Sequence, residues 1–288
     1  MKYIDIHCHL DSEDYNSDRE EVLTRMKEME MGAITIGADL ESSKKAVEIA
    51  EQNENVWACI GVHPNCLTEK SNNTVSALGH KDNALETVLS DFSPDGYFEK
   101  LVKNPKVVAI GECGLDYFRM EDKSEKEKQK ELFKKQIEFA IKYDKPLMLH
   151  IRDAHSANSG QAYDDALSIL ESYKKAEGPE AEKLNGNVHF FAGDVSVAKR
   201  FLDLGFSMSF TGVVTFTHDY DEVIKFLPIN SIMAETDAPW VAPIPFRGKR
   251  NEPTYVVEVI KKLAEIRGES VEVLNDQMLE NFKRVFIK

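Results

Sequence analysis

The chain has 288 residues, a formal net charge of −14 and 42% hydrophobic residues, a composition typical of globular proteins. This length fits one large α/β domain or two small ones, and no apolar run reaches the ~20 residues that a membrane-spanning helix needs. The acidic charge argues against broad, nonspecific binding to nucleic acid, although a metal ion and a few arginines can reverse the field at a cleft.

Short apolar segments alternate with amphipathic helical patterns along the whole chain. Strands are predicted at 3–9, 33–38, 56–62, 107–112, 146–151, 187–192, 206–211 and 232–236. Helices are predicted near 17–31, 41–54, 95–103, 124–143, 161–176, 195–204, 219–227, 254–267 and 271–286. Several of the strands are apolar throughout, as at 107–110, which is typical of parallel strands buried on both faces.

This alternation predicts a (β/α)8 TIM barrel that forms a single domain over residues 1–288. The alternative is an open, doubly wound sheet. A dinucleotide-binding version of that sheet has no specific support, because no Gly-x-Gly-x-x-Gly motif follows a predicted strand.

Two polar segments look like insertions. Residues 65–94 form a long connection rich in Asn, Ser, Asp and Gly, with a short apolar helix pattern near 84–90, and residues 156–161 extend the loop after the fifth strand. In a barrel both segments would lie at the mouth, where loops carry function. A surface insertion without a functional role is an equally good interpretation.

The cysteines and the N-terminus indicate the compartment. None of Cys8, Cys59, Cys66 and Cys113 forms a Cys-x-x-Cys pair, and three of them fall in or beside predicted buried strands. Free thiols are therefore expected. The N-terminus shows no basic region followed by an apolar stretch, so no secretory signal is visible and a cytoplasmic location is predicted.

The first predicted strand ends in a His-x-His pattern. Because successive strand residues point to opposite faces, His7 and His9 point the same way and could grip one metal ion, whereas Cys8 points away. Taken alone, this pattern is equally compatible with surface or packed histidines. Its weight depends on matching ligands at other strand ends.

Four other predicted strands carry such ligands. These ligands are Glu112 in the fourth strand, His150 in the fifth, His189 in the sixth and Asp237 at the end of the eighth. Imidazole with carboxylate suits Zn²⁺, Mn²⁺, Fe²⁺, Co²⁺ or Ni²⁺, whereas Mg²⁺ usually prefers all-oxygen sites. Six ligands are too many for one tetrahedral catalytic site, which must also hold a water. Two metal ions bridged by Glu112 would account for all six. The alternative is that some of these histidines only bond backbone carbonyls.

Seven motifs in this chain resemble those of the TatD family of metal-dependent deoxyribonucleases, within the amidohydrolase superfamily. They are DIHCH at 5–9, GVHP at 61–64, GECGLDY at 111–117, HIRDAH at 150–155, FAG at 191–193 preceded by His189, ETDAP at 235–239 and RGKRNEP at 247–253. The motifs stand in family order, and together they are far more specific than any one of them.

The resemblance implies a (β/α)8 fold with two divalent metal ions, such as Mg²⁺, Mn²⁺ or Zn²⁺, at the C-terminal face of the strands. It implies that His7 and His9 bind one metal, that His150 and His189 bind the other, and that Glu112 bridges them. Asp237 would contact the metals and act as the base that takes a proton from the attacking water.

The resemblance also suggests substrate contacts. His63, Arg152, His155 and Arg247 lie where the family handles the substrate phosphate or the scissile group, and either His155 or His63 could donate a proton to the leaving group. Tyr117, together with Phe118 and Trp240, follows a predicted strand end and could stack on bases; packing against loops is an equally good interpretation.

The implied activity is hydrolysis of DNA phosphodiesters from an end, by a metal-activated water. The expected partner is DNA, single-stranded or with frayed ends; no membrane and no obligate protein partner are expected. Three positions depart from the family pattern: Asn65 replaces a common histidine, Phe190 replaces a cysteine, and Trp240 replaces a tyrosine. None of these changes removes an implied metal ligand.

Two other functions remain open from the residues alone. The same ligands would serve an amidohydrolase that acts on a small ester, lactone or cyclic amide. Glu112 stands where such enzymes can carry a carboxylated lysine, which favours the TatD interpretation. A metal-holding scaffold without activity is the third possibility, although structural metal sites rarely need six ligands at an open mouth.

Overall fold

The computed structural model describes residues 1–67, 84–118, 120, 122–154, 160–175 and 178–287. Within these residues, eight parallel strands form one sheet, in which each strand pairs with the next along the chain. The strands are β1 Tyr3–Cys8, β2 Met31–Ile36, β3 Val56–Ile60, β4 Val107–Asp116, β5 Leu147–Arg152, β6 Gly186–Val188, β7 Phe206–Phe210 and β8 Ile232–Ala234. The predicted single-domain TIM barrel is confirmed, and the open, doubly wound sheet is excluded.

Helices connect the strands and cover the barrel. They are α1 Arg19–Glu28, α2 Leu40–Gln52, α3 Ala84–Asp91, α4 Tyr97–Leu101, α5 Lys123–Tyr143, α6 Gln161–Lys175, α7 Pro179–Lys183, α8 Val195–Asp203, α9 Asp221–Phe226, α10 Val256–Arg267 and α11 Val271–Phe286. Short 3-10 helices occur at Glu13–Tyr15, Pro64–Leu67, Gly212–Thr215, Ile229–Ser231 and Pro253–Tyr255. Among the α-helices of the described residues, only α7 was not predicted; it is short and begins at a proline, without a full amphipathic repeat. No helix in the described part of the chain is long and apolar enough to cross a membrane.

The seam between the first and last strands is closed by the residues that follow β8. The Asp237 amide donates to the His7 carbonyl at 3.0 Å, and the His9 amide donates to the Ala238 carbonyl at 2.7 Å. These bonds continue the barrel beyond the end of β8 and bring the two ends of the predicted ligand set together.

The sixth strand is shorter than predicted. It ends at Val188 rather than 192, because Phe190 has a φ of +45° and turns the chain out of the sheet. The eighth strand likewise ends at Ala234 rather than 236. In both places the chain leaves the ladder where the predicted ligands begin.

An apolar cluster inside the barrel is closed at one end by α11. Alternate residues of the strands, such as Ile4, Ile6 and Ile36, pack with Phe282 and Phe286 of that helix in one buried cluster. The Asn275 side-chain amide donates to the Lys2 carbonyl at 2.8 Å, which places α11 at the N-terminal ends of the strands. The opposite end, where the strands finish, is left for the candidate site.

The two predicted insertions are described only in part, whereas all four cysteines are described. In segment 65–94, residues 68–83 lie outside the described residues, and the described part includes α3. Of segment 156–161, residues 156–159 also lie outside the described residues. As expected, none of the four cysteines, all of which are described, forms a disulfide bond: Cys8, Cys59 and Cys113 are buried, and Cys66 is partly buried.

Candidate metal centre

Five strands bring the predicted ligands to the same end of the barrel. His7 lies in β1 and His9 directly after it, Glu112 lies in β4, and His150 lies in β5. His189 directly follows β6, and Asp237 lies three residues beyond β8. A cavity of about 960 Å³ opens above them, and its lining includes His9, Glu112, His150, His189 and Asp237. The set is therefore assembled at the mouth of the barrel.

The Glu112 carboxylate lies at the centre, with its two oxygens facing different histidines. Oε1 is 2.7 Å from His150 Nδ1 and 2.9 Å from His189 Nε2. Oε2 is 3.7 Å from His7 Nε2 and 3.8 Å from His9 Nε2. One carboxylate thus faces two separate groups of imidazole nitrogens, which is the geometry that a bridging ligand requires.

Asp237 completes the group around the first strand. Its Oδ1 is 3.7 Å from His7 Nε2 and 3.6 Å from His9 Nε2. Potential ligand atoms converge within 4.8 Å in three overlapping groups: His7 with His9 and Asp237, His7 with Glu112 and His189, and His63 with Glu112 and His150.

Unpartnered buried nitrogens test whether these residues fit a metal ion. Both ring nitrogens of His7 and Nδ1 of His189 are buried without a hydrogen-bond partner in the described part of the chain. A buried polar atom without a partner costs about 1–3 kcal/mol. Since neutral imidazole nitrogens beside carboxylates suit divalent transition metals, the residues fit such an ion.

Charge also favours a cation. Burial by itself would raise the pKa of Glu112, but the charge of His189 and the hydrogen bonds to His150 and His189 hold it well below its usual value. Burial opposes a charge on His189, yet Glu112 and Glu235 hold its pKa well above the usual range. Burial is likewise outweighed at His9, where contacts with Asp237 and Glu112 raise the pKa to about 9. The buried carboxylates thus draw positive charge into the centre, and a metal ion would supply that charge.

Comparison with known proteins agrees with this geometry. Residues 4–287 match the family model described as TatD related DNase. The chain belongs to the TatD family. It is 36% identical, over 98% of both chains, to the metal-dependent hydrolase YabD of Bacillus subtilis, and 30% identical to the metal-dependent hydrolase YcfH of Escherichia coli, over 99% of this chain and 96% of YcfH. The crystal structure of YjjV, a TatD homologue from Escherichia coli, superposes with a TM-score of 0.79, 28% identity and coverage of 99% and 98%.

More distant structures share the fold alone. An organophosphorus hydrolase from Deinococcus radiodurans superposes with a TM-score of 0.59 and 10% identity, covering 99% of this chain and 92% of that one. The family match and the relatives together make this chain a metal-dependent hydrolase of the TatD family, with a buried cluster of His, Glu and Asp side chains that can bind metal.

Glu235 is a member of the TatD site that the sequence analysis did not single out. Its side chain is fully buried, 3.5 Å from His189 Nδ1 and 4.0 Å from His7 Nδ1. The Phe190 amide and the Ser209 hydroxyl donate to it at 2.6 Å and 3.1 Å, which fixes the carboxylate between the two rings. A carboxylate beside a metal-binding imidazole fixes the tautomer and the orientation of that ring. Its spacing of two residues from Asp237 could have revealed it.

Asp5 ties β1 to the segment after β8. Its carboxylate accepts hydrogen bonds from the His7 amide at 3.1 Å and from the Thr236 amide at 3.0 Å, and it also accepts from the Thr236 hydroxyl. Burial raises the pKa of Asp5, which the hydrogen bonds only partly offset. Asp5 therefore positions the backbone that carries His7 and Asp237 and does not itself face the cavity.

His63 and Asp116 contact the opposite side of the centre. His63 Nε2 lies 3.8 Å from Glu112 Oε1, and His150 Nε2 lies 3.3 Å from Asp116 Oδ2. The Asn65 side chain donates to the same Asp116 oxygen at 2.8 Å. Asn65, which replaces a common histidine of the family, thus helps to hold Asp116 beside His150. Asp116 stands in a recognised motif, but its role becomes visible only through these contacts.

The remaining predicted substrate contacts fall in different places. Arg152 lines the cavity, with its guanidinium 3.7 Å from the centroid of the Phe118 ring. Tyr117 does not lie at the mouth as expected: its side chain is fully buried and its hydroxyl donates to Asp165 at 2.9 Å. Phe118 lines the cavity in its place, since the two neighbours point in opposite directions.

Three predicted substrate-contacting residues remain: Arg247, Trp240 and His155. Arg247 is exposed and lies outside the lining of the cavity, over the Phe216 ring. Trp240 lines the cavity with 51% of its surface exposed, and its ring lies edge-on to His9 at 4.9 Å. His155 lies outside the described residues.

Proposed function

We propose that this TatD protein hydrolyses phosphodiester bonds in DNA, removing nucleotides from an end that is single-stranded or frayed. The observation that carries the proposal is the Glu112 carboxylate, whose two oxygens face two groups of imidazoles. This arrangement supports a pair of divalent metals, a common device for phosphodiester hydrolysis. The matched family description, TatD related DNase, supplies the substrate class.

The six side chains divide between two metals in the proposal. His7, His9 and Asp237 would hold one ion, His150 and His189 would hold the other, and Glu112 would contact both; His63, which groups with Glu112 and His150, is a further candidate for the second ion. Four imidazoles favour Zn²⁺ or Mn²⁺ over Mg²⁺. Bound there, such metals lower the pKa of water and polarise the phosphoryl oxygens.

Asp237 is the proposed base. Its side chain remains 15% exposed at the floor of the cavity, where a water can reach it, whereas Glu235 is fully enclosed. Asp237 has a φ of +54°, a backbone conformation that aspartate tolerates better than most residues. This conformation lets the residue turn back toward His7 and His9, so its carboxylate can orient a water and take its proton.

Arg152 and a histidine complete the proposed chemistry. Arg152 lines the cavity, where it can donate charge-assisted hydrogen bonds to a phosphate. His63, also in the lining, can deliver a proton to the leaving oxygen, and His155 is the other candidate for that step. Trp240, with 51% of its surface exposed, offers an aromatic face in the cavity lining on which a base from a frayed end can stack.

The test uses protein stripped of metal and a single-stranded DNA oligonucleotide labelled at one end. Mg²⁺, Mn²⁺ and Zn²⁺ are added back separately, and cleavage is compared among the wild type, Glu112→Gln and Glu131→Gln. Glu131 is an exposed carboxylate on α5, so its variant is a matched control for loss of charge. We expect a metal-restored ladder of shortened products in the wild type and in the control only.

Two outcomes would change the proposal. Internal cuts without progressive shortening would contradict hydrolysis from an end. No cleavage with any metal, together with metal-dependent hydrolysis of an ester, lactone or cyclic amide, would establish the small-molecule alternative, which the apolar cavity walls Phe118, Phe190, Tyr163 and Tyr220 favour. The cytoplasmic location and the absence of an obligate partner stay predictions, which cell fractionation and sedimentation of the purified protein would test.

A further inference from the structure

Arg152 and Arg247 differ from the other arginines of the described residues in how their guanidinium groups are held. Each of the others donates hydrogen bonds to protein oxygens: Arg19, Arg25, Arg200, Arg250, Arg267 and Arg284. Arg152 and Arg247 instead lie over phenylalanine rings, each 3.7 Å from the ring centroid. Within the described part of the chain, their N–H groups are not used by any protein acceptor.

The two pairs stand at different places on the rim. Phe118 and Arg152, which follow β4 and end β5, both line the cavity. Phe216 and Arg247 follow β7 and β8, three strands further around the barrel, and neither belongs to the lining. Arg152 can thus reach a group inside the cavity, whereas Arg247 faces solvent outside it.

One loop leads from the metal centre to Arg247. It starts at Asp237, passes Trp240 and Val241 in the cavity lining, and continues past Ile244, which is 50% exposed. The Ile244 amide donates to the Thr215 hydroxyl at 2.9 Å, which attaches this loop to the one that carries Phe216. The exposed side chains of Trp240 and Ile244 therefore lie on the loop between the cavity and the second arginine.

We propose that Phe216 and Arg247 form a second phosphate subsite, outside the cavity, for a polynucleotide strand. Arg247 binds a backbone phosphate one or more nucleotides away from the bond that is cut, while Arg152 serves the phosphate inside the cavity. This inference rests on the proposed phosphodiesterase function and specifies its substrate: a strand long enough to reach both arginines. A small ester or a dinucleotide would not span them.

The chemistry of the pair suits a phosphate. Guanidinium presents its N–H donors in a planar fork that matches phosphate oxygens, and it is more weakly hydrated than ammonium. A ring beneath the guanidinium attracts its charge and limits its motion, while the edge donors stay free. The 39% exposed Phe216 ring thus holds Arg247 ready for a ligand at its edge.

The experiment measures kcat and KM on a dinucleotide and on a single-stranded oligonucleotide of about 10 nucleotides, across a range of salt concentrations. The wild type is compared with Arg247→Gln and with Lys134→Gln, which removes an exposed positive charge from α5. We expect the wild type to prefer the longer strand. Arg247→Gln should raise KM for that strand about tenfold, the scale of one charged hydrogen bond, while kcat stays close to the wild-type value.

Two further readouts separate a phosphate contact from a merely structural role. Loss of one phosphate contact should reduce the slope of log KM against log salt by about 0.7 for a single strand. Phe216→Leu should raise KM by a smaller factor, and in combination with Arg247→Gln it should add little, because both changes remove the same contact. Lys134→Gln should match the wild type in all these measurements.

The outcomes that overturn the inference are distinct from failure of the proposed function. A wild type that cleaves both lengths equally well, or an Arg247→Gln variant that loses the same factor on both lengths, overturns the subsite alone. An unchanged salt slope in that variant does so too. A wild type that cleaves neither substrate overturns the proposed function, and the subsite falls with it.

Discussion

The two ends of the barrel are built from the same strands but under opposite constraints. At the N-terminal end, Phe282 and Phe286 of α11 fill the interior among apolar strand residues. At the C-terminal end, buried imidazole nitrogens of His7 and His189 have no hydrogen-bond partner among the described residues. The first arrangement lowers the free energy of the folded chain, whereas the second leaves polar groups available for a metal ion.

Backbone conformation shows a weaker contrast, because Glu30 and Asp144, which precede β2 and β5, also have positive φ values among the described residues. Phe190, Asp237 and Val241 have φ values of +45°, +54° and +55°, and all three line the cavity. A non-glycine residue in this region costs about 1–3 kcal/mol and persists only where the surroundings enforce it. Packing that stabilises the fold is concentrated at one end of the barrel and the ligand side chains at the other, so mutations at the two ends should have separable effects.

The largest effect is expected from Asp237→Asn. Asparagine keeps the shape of the side chain but cannot take a proton, so kcat should fall by about 10²–10⁴-fold, the range of general acid–base catalysis. The melting temperature without added metal should change little. Turnover and thermal unfolding of the same preparation measure both effects. Near-normal turnover with metal present would contradict the role of Asp237 as base.

A comparable effect on stability alone is expected from Phe282→Ala. The side chain is 1% exposed and packs against Trp57 with ring centroids 5.0 Å apart. Removing it should lower the free energy of unfolding by about 3–5 kcal/mol. Denaturant unfolding measures this loss, and metal content per folded molecule is the companion measurement. A large loss of bound metal at a temperature where the variant is folded would show that the two ends are coupled.

A smaller effect is expected when metal is added to the stripped protein. A ligand that binds only the folded state, at a concentration 100 times its dissociation constant, stabilises that state by about 2.7 kcal/mol. The wild type should therefore melt at a higher temperature with Mn²⁺ or Zn²⁺, whereas Glu112→Gln should gain little, because Glu112 faces both groups of imidazoles. An equal gain in both proteins would place the bound metal elsewhere.

The smallest effect is expected from Glu235→Gln. The amide can still occupy the space between His7 and His189 but lacks the charge that orients them. Loss of such an outer carboxylate typically weakens metal binding by about 10–100-fold. Competition with a chromogenic chelator measures the affinity, and Glu131→Gln provides the control. Unchanged affinity would assign Glu235 a purely structural role.

Much of this architecture could be predicted because it depends on local patterns. Alternating apolar segments and helical repeats determine the barrel, and ligands at strand ends converge in any such barrel. The spacing of His7 and His9 on one strand was sufficient to place them together. The same reasoning predicts that Glu112, His150 and Asp237 lie at the C-terminal end of the strands, which is where the structure has them.

The rest depends on contacts that no local pattern records. Tyr117 follows a strand end like Phe118, but the choice of which side chain turns inward is made by packing and by the bond to Asp165. Glu235 acquires its place between the His7 and His189 rings only when β1, β6, β7 and β8 assemble. Arg247 lies outside the cavity lining, over the Phe216 ring, and nothing in its motif indicates that contact.

The hydrogen bonds between His7, His9 and the segment after β8 have a consequence for synthesis of the chain. Ligands at residues 7 and 237 must meet before the centre exists, so a nascent chain carries His7 and His9 without a complete site until Asp237 has been synthesised. A truncated product ending before β8 would lack the base and the seam together. A complete centre therefore forms only after the segment that follows β8 has folded against β1.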